Sequence, residues 1–217
     1  MPYAARDRQE FIKRSNLNPG SRVLDLGGMV SGELPSAVSG ITSMRPVSNA
    51  VLIKPENLPF NDSAFNEVVS YHYLDLVSSD MLGIVLKEVA RVLGHGAIFS
   101  FMVLLWSPQN EAQRSSLFFN ELLKGTGALY SHDFEIVSRQ LSSSGFCDIT
   151  VETIKRDIII PRDFTRSHLL MLGNLIKKEK EQGGFGIKAP ARLYFKQVKV
   201  YGEAMLPALH FIARKAL

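Results

Sequence analysis

The feature that most constrains the fold is an alternation of short apolar segments with longer segments of helical periodicity. Val23–Leu26 is largely apolar and lies between Gly20 and Gly27, which is typical of a strand buried in a parallel sheet. Similar segments predict strands at 50–53, 65–71, 97–103, 147–153, 158–160 and 208–213. Helical spacing predicts helices at 4–14, 33–38, 81–93, 109–123, 132–142, 163–181 and 191–205.

Strands that alternate with helices favour an α/β protein with a mostly parallel sheet and helices on both faces. The chain has 217 residues, 46% of them hydrophobic, which is enough to bury one substantial core. No repeat and no linker divides it. We therefore predict a single domain over 1–217, with an N-terminal helix within 1–20 and further helices between 106 and 205.

The distribution of apolar residues argues against membrane-spanning and secreted proteins. The apolar runs fall short of the roughly 20 residues that cross a bilayer. The N-terminal segment contains Arg6, Asp7 and Arg8 instead of the apolar core of a secretory signal. Cys147 is the only cysteine, so it forms no internal disulfide. We expect a soluble, cytoplasmic protein.

In open parallel sheets, ligands bind beyond the carboxyl ends of the strands. This rule selects the loop after Leu26, the loop after Ile53 and the strand tip Tyr71-His72-Tyr73. His72 is the candidate general base, since the unperturbed pKa of histidine is about 6.5. The alternative is a structural imidazole bonded to a loop carbonyl. None of the five histidines has a spacing that indicates a metal site.

Four successive motifs resemble those of a known enzyme family. They are Val-Leu-Asp-Leu-Gly at 23–27, Glu-Asn-Leu-Pro-Phe at 56–60, Ser-Ala-Phe-Asn-Glu-Val-Val at 63–69 and Lys-Glu-Val-Ala-Arg-Val-Leu-Gly-His-Gly at 87–96. In this order they resemble the type-11 branch of the class I S-adenosylmethionine-dependent methyltransferases over about residues 20–104. The resemblance implies a Rossmann-like methyltransferase fold.

The resemblance also implies where the cofactor S-adenosylmethionine would bind. Asp25 and Gly27 would lie at its amino-acid end, Asn57 and Leu58 beside its adenine, and the tip around His72 would face the transferred methyl group. The helices at 109–123 and 163–205 would cover a small-molecule or lipid-like acceptor. The implied cofactor-binding residues are Asp25, Gly27, Gly28, Met29, Glu56, Asn57, Leu58, Tyr71 and Tyr73.

The glycine loop departs from the family pattern in composition and in length. Met29 and Ser31 stand where the family has glycines that let the backbone approach the cofactor, and Gly28 and Gly32 offer a shifted turn instead. Only 33 residues lead from Gly27 to Phe60. Because parallel strands need long crossover connections, this length predicts one shortened or missing strand-helix unit and a trimmed cofactor pocket.

The second departure is a loss of acidic residues. In the family, carboxylates after the glycine loop accept hydrogen bonds from the ribose hydroxyls and the adenine amine. Here no acidic residue lies between Glu33 and Glu56. Lys54 stands at the adenine position, and an ammonium group has no acceptor. Glu56 is the candidate substitute.

A nicotinamide dinucleotide is the alternative ligand for the same loop. Gly27, Met29 and Gly32 match Gly-x-Gly-x-x-Gly except at the middle glycine, and Arg45 would meet a 2′-phosphate. The missing glycine is the one that admits the pyrophosphate, and no later motif indicates a dehydrogenase.

The charge of the chain is unevenly distributed. Residues 1–150 contain 12 Lys/Arg and 15 Asp/Glu, whereas residues 151–217 contain 13 and 6. A basic C-terminal third attracts nucleic acid, anionic lipid or an acidic substrate. Around Lys177 to Glu181, however, the two signs alternate as on a solvated helix face, so we expect no nucleic-acid partner.

Two functional hypotheses follow from these patterns. The first is S-adenosylmethionine-dependent methyl transfer to a small-molecule or lipid-like acceptor, with His72 as the candidate base. The second is a non-catalytic binding or assembly module of the same fold that has lost cofactor binding and has a protein partner.

Overall fold

A computed structural model describes residues 4–42, 49–182 and 186–217, without the side chains of 178–182. Arg45, on which the nicotinamide alternative depends, lies outside these residues. The helices are α1 (Ala5–Ser15), α2 (Ser79–Val92), α3 (Glu111–Gly125), α4 (Phe134–Ser143), α5 (Arg162–Gln182) and α6 (Lys188–Tyr201). The strands are β1 (Val23–Leu26), β2 (Val38–Ile41), β3 (Ala50–Leu52), β4 (Phe65–Tyr71), β5 (Leu93–Leu104), β6 (Phe146–Ile154) and β7 (Ala208–Lys215).

The seven strands form one sheet in the order β3-β2-β1-β4-β5-β7-β6. The four pairings among β1 to β5 are parallel. β7 runs against β5, since Gly96 contacts Arg214 whereas Ser100 contacts His210. The predicted mostly parallel α/β architecture is confirmed.

The chain separates into two compact units. The first consists of Met1–Leu104, His132–Thr153 and Leu209–Leu217 and contains the sheet with α1, α2 and α4. The second consists of Leu105–Ser131 and Ile154–Ala208 and contains α3, α5 and α6.

In the first unit, α1 packs on one face of the sheet through Phe11 and Ser15. The Phe11 ring meets His210 edge-on with centroids 5.4 Å apart. Ser15 Oγ lies 2.6 Å from Ser100 Oγ, which lies 2.8 Å from His210 Nε2. Because side chains alternate along a strand, Phe101 points to the opposite face, where it stacks on Phe211 at 4.8 Å.

The core of the second unit joins its three helices. Its buried members are Phe119, Leu122, Leu172, Ile187, Ala191 and Tyr194. The His168 ring stacks on Phe119 with centroids 4.3 Å apart, and its Nδ1 lies 3.0 Å from a carboxylate oxygen of the buried Glu203.

The connections on both sides of β2 are short. Residues 27–37, all of them described, join β1 to β2 through turns without a helix, and eight residues, 42–49, join β2 to β3. The helix predicted at 33–38 is therefore wrong, because Val38 begins β2. The expected shortening is found between β1 and β2, where the described residues 27–37 contain no helix and the strands remain in place.

Two further predictions require correction. The predicted strand at 158–160 is only an isolated bridge between Ile159 and Ala204. α6 ends at Tyr201 and not at Met205, since Gly202 takes a φ of 70°. None of the helices that the structure describes combines the length and the apolar character needed to cross a membrane.

Candidate functional site

The loop after β1 is folded tightly against its own strand. The Gly27 N–H donates to the Gly40 carbonyl at 2.7 Å, and the Gly28 N–H donates to the Asp25 carbonyl at 3.1 Å. Gly27 and Gly28 have φ angles of 102° and 62°. Both values lie in the left-handed region, so these two positions require glycine or strain.

Asp25 fixes this loop from inside the core. Its side chain is fully buried, and its two oxygens accept from the backbone N–H groups of Met29 at 3.3 Å and Val30 at 2.9 Å. A buried carboxylate is stable only when such donors satisfy it. The contacts described for the Asp25 carboxylate thus stabilise the turn.

Tyr73 covers the face of Gly27. A methyl group added at Gly27 would lie 2.6 Å from the Tyr73 Cβ and 2.7 Å from its Cγ, so only glycine fits under this ring. Tyr73 is 6% exposed. Burial, with a smaller contribution from the charge of Glu56, raises the pKa of Tyr73 to about 12.

A concavity of about 250 Å³ remains beside the loop. Within it, Arg8 of α1 forms an ion pair of 2.7 Å with Glu33, and that hydrogen-bonded partner raises the pKa of Arg8. Next to this pair, the Tyr71 hydroxyl donates to Asp7 at 2.6 Å. The concavity is lined by Arg8, Gly28, Met29, Ser31, Gly32, Glu33 and Tyr71.

His72 lies at the strand tip in a left-handed conformation, with a φ of 56°. Its Nδ1 is 2.7 Å from Asp75 Oδ2, and its backbone N–H donates to the Met102 carbonyl. The Asp75 carboxylate also accepts from the Leu104 N–H at 3.0 Å. A buried carboxylate that orients an imidazole serves a general base or a structural turn equally well.

The three candidate residues after β3 lie in different environments. Glu56 and Asn57 are exposed, and the Asn57 N–H closes a turn on the Lys54 carbonyl at 2.9 Å. Leu58 is buried and its N–H donates to Glu88 of α2 at 2.8 Å.

Arg91 and Glu88 of α2 hold this loop, a role that the sequence analysis did not identify. The Arg91 guanidinium donates to the carbonyls of Leu58 at 2.9 Å and Phe60 at 2.8 Å, and it pairs with Glu88 at 2.8 Å. Glu88 and, to a smaller extent, Asp62 raise the pKa of Arg91 through their hydrogen bonds. The signal in the sequence was the spacing of three residues between Glu88 and Arg91 within the fourth motif.

Several features around the glycine loop differ from the S-adenosylmethionine site that the sequence resemblance implies. The concavity of about 250 Å³ is below the roughly 300–1,000 Å³ of ordinary ligand pockets. The Tyr73 ring occupies the face of Gly27 on which a side chain would project. The acceptor carboxylates expected between Glu33 and Glu56 are absent from the sequence. Within the described ranges, His, Cys, Asp and Glu side chains also form no group of three or more that would hold a metal ion.

Comparison with solved structures shows the fold. The chain is similar to an S-adenosylmethionine-dependent methyltransferase from Thermotoga maritima, with a TM-score of 0.61 and 14% identity over 99% of this chain and 90% of that one. It is also similar to phosphoethanolamine N-methyltransferase 2 of Haemonchus contortus bound to S-adenosylhomocysteine, with a TM-score of 0.57 and 14% identity over 98% and 53%. The cyclase SpnF gives a TM-score of 0.62 and 17% identity over 99% and 81%.

These similarities establish a class I methyltransferase fold for this chain. No family model matches it, and no curated protein matches it. The presence of a cyclase among the similar structures illustrates that this fold supports more than one chemistry.

Proposed function

We propose that this chain is a non-catalytic methyltransferase-fold protein that has lost S-adenosylmethionine binding and acts as a binding or assembly module. The observation that carries the proposal is the contact of the buried Tyr73 ring with Gly27. We infer that this contact occupies the surface that the glycine loop would offer to a cofactor.

Two features of this site should weaken cofactor binding strongly. Moving the Tyr73 ring out of its buried position costs about 2–3 kcal/mol of apolar burial. Two missing carboxylate acceptors remove about 1.5–3 kcal/mol each. The sum is at least about 5 kcal/mol, which turns a micromolar dissociation constant into one well above millimolar.

Titration calorimetry and thermal unfolding test the proposal directly. We expect no heat beyond dilution, and no shift of the unfolding temperature, with S-adenosylmethionine or S-adenosylhomocysteine at about 1 mM. A ligand at about 100 times its dissociation constant would add about 2.7 kcal/mol to the free energy of unfolding. A dissociation constant below about 100 µM for the natural sequence would overturn the proposal.

A gain-of-binding variant tests the physical reason. Lys54→Asp combined with Tyr73→Ala restores one acceptor and uncovers Gly27. We expect it to bind S-adenosylhomocysteine at least about 10-fold more tightly than Lys87→Asp combined with Tyr73→Ala, since a charge-assisted hydrogen bond contributes about 1.5–3 kcal/mol. Lys87 is exposed on α2, so its substitution alters charge without touching the loop.

Methyl transfer to a small-molecule or lipid-like acceptor is the second candidate. The His72–Asp75 pair of 2.7 Å favours it, because the carboxylate orients an imidazole at the strand tip. If the titration detects cofactor, His72→Asn should then lower the rate of methyl transfer without changing cofactor affinity.

A further inference from the structure

α6 has an exposed cationic surface. It contains four cationic residues and no acidic residue, and all four cations are exposed. They recur at intervals of three or four residues, so they form one stripe along the helix. The stripe consists of Lys188, Arg192, Lys196 and Lys199.

Large apolar side chains flank this cationic stripe. Leu193 is 55% exposed and Val200 is 66% exposed, and Tyr201 and Phe195 are also exposed. The opposite side of α6 is buried through Ala191 and Tyr194 in the core of its unit. The outer face of α6 therefore combines positive charge with apolar surface that no described residue covers.

A groove between α5 and α6 continues this face. Its volume is about 480 Å³, within the range of ligand pockets, and its lining combines apolar and cationic side chains. A second concavity of about 410 Å³ shares Phe195 and extends toward Lys188 and Arg192. The groove is formed by Arg162, Arg166 and Leu169 of α5 and by Phe195, Val198 and Lys199 of α6.

The charge of the surroundings identifies the kind of occupant. Arg162, Arg166 and Lys199 line the groove. The exposed Asp163, which follows Arg162 in the sequence, does not line it. Residues 151–217 as a whole contain 13 Lys/Arg against 6 Asp/Glu. An occupant with anionic groups and aliphatic chains complements both properties at once.

We propose that the outer face of α6 and the α5–α6 groove form a docking surface for a bilayer of anionic phospholipids. Lysine and arginine side chains extend to the headgroups while leucine and valine enter the acyl boundary, which is the pattern of helices that lie in a membrane interface. Nucleic acid would use the cations and could stack on Phe195 and Tyr201, but it would gain little from the aliphatic Leu193 and Val200. This surface is independent of the proposed loss of cofactor binding.

Vesicle flotation with the full chain tests this surface. We expect binding to vesicles of phosphatidylcholine with about 30% phosphatidylglycerol, weak binding to pure phosphatidylcholine, and release of the bound protein by salt. Lys196→Gln with Lys199→Gln should weaken binding about 30-fold, because each cation near an anionic surface contributes about a fivefold effect. The matched control is Lys13→Gln with Lys87→Gln, two exposed cations of the other unit, which should bind as the natural chain does.

A substitution of an apolar residue separates a bilayer from other polyanions. Leu193→Ser should lower vesicle binding about 10-fold or more, whereas Ile84→Ser, at an exposed position of α2, should not. Circular dichroism and thermal unfolding verify that each variant is folded. Three results would overturn the proposal: no flotation with anionic vesicles at low salt, equal losses in the two lysine pairs, or DNA or polyglutamate binding that is tighter and insensitive to Leu193→Ser.

Discussion

At the residue scale, Gly27 is constrained in two ways. Its φ of 102° lies in a region that side chains with a Cβ rarely adopt, and its open face is covered by Tyr73. Gly27 thus has a packing role in this chain, whether or not any ligand approaches it. The same residue would serve cofactor approach in an enzyme of this fold.

Gly27→Ala should therefore destabilise the protein strongly. The new methyl group would meet the Tyr73 side chain at 2.6 Å and would also force an alanine into the left-handed region, at a combined cost of at least about 2 kcal/mol. Gly32→Ala is the matched control, since it belongs to the same loop, has no positive φ and has no atom within 4 Å of the added methyl group. Urea unfolding measures both variants, and equal stabilities would contradict this packing role.

At the element scale, the fourth motif functions in architecture. Glu88 and Arg91 of α2 connect the helix to the loop that precedes β4 through the carbonyls of Leu58 and Phe60. Such contacts are needed wherever the β3–β4 loop must lie against α2.

Arg91→Met should destabilise the chain by about 3 kcal/mol, because it leaves two carbonyls and the Glu88 carboxylate without their charged donor. Lys87→Met is the control on the same helix, where the exposed side chain should change stability by less than about 0.5 kcal/mol. The Leu58 amide donates to Glu88 and the Ser63 amide donates to the Arg91 carbonyl, so hydrogen exchange at these two amides reports local opening of the loop. Equal unfolding midpoints for the two variants would exclude this role for Arg91.

Most elements could be predicted from periodicity, but β2 could not. Val38-Ser39-Gly40-Ile41 has no apolar alternation, and its strand forms because β1 and β3 flank it, with Ser39 paired to both Asp25 and Ala50. A local pattern does not contain that information. The strong predictions, such as α2 and β4, rest on apolar stripes that are themselves buried.

The candidate site, like the fold, could be predicted from the sequence only in part. Parallel strands end on the same side of a sheet, so the ends of β1 and β4 were expected at one edge. Asp25, Gly27 and Tyr73 lie there. The Arg8–Glu33 and Asp7–Tyr71 contacts had no signal in the sequence. They depend on how α1 rotates and docks on the sheet, which only tertiary packing determines.

At the scale of the whole molecule, sequence resemblance and structural similarity cover different lengths. The motifs extend over about residues 20–104, whereas the structural similarity to the Thermotoga protein covers 99% of the chain. Within the fourth motif, Glu88 and Arg91 hold the β3–β4 loop against α2. The sequence departs from the motifs that it resembles at Met29 and Lys54.

Global stability should depend on pH through His210, which joins β7 to β5 and α1. Burial lowers the pKa of His210 to about 4. As the pH falls below about 6.5, His210 therefore becomes protonated in the unfolded chain but stays neutral in the folded chain. The stability linked to this group is present above pH 6.5 and is lost toward pH 4, a change of about 3 kcal/mol. Urea midpoints at pH 7, 5.5 and 4.5 measure the loss.

His210→Gln, which keeps a neutral polar group beside Ser100, should flatten the pH dependence, whereas His95→Gln at an exposed position should not. An unchanged slope in His210→Gln would show that other groups control acid unfolding.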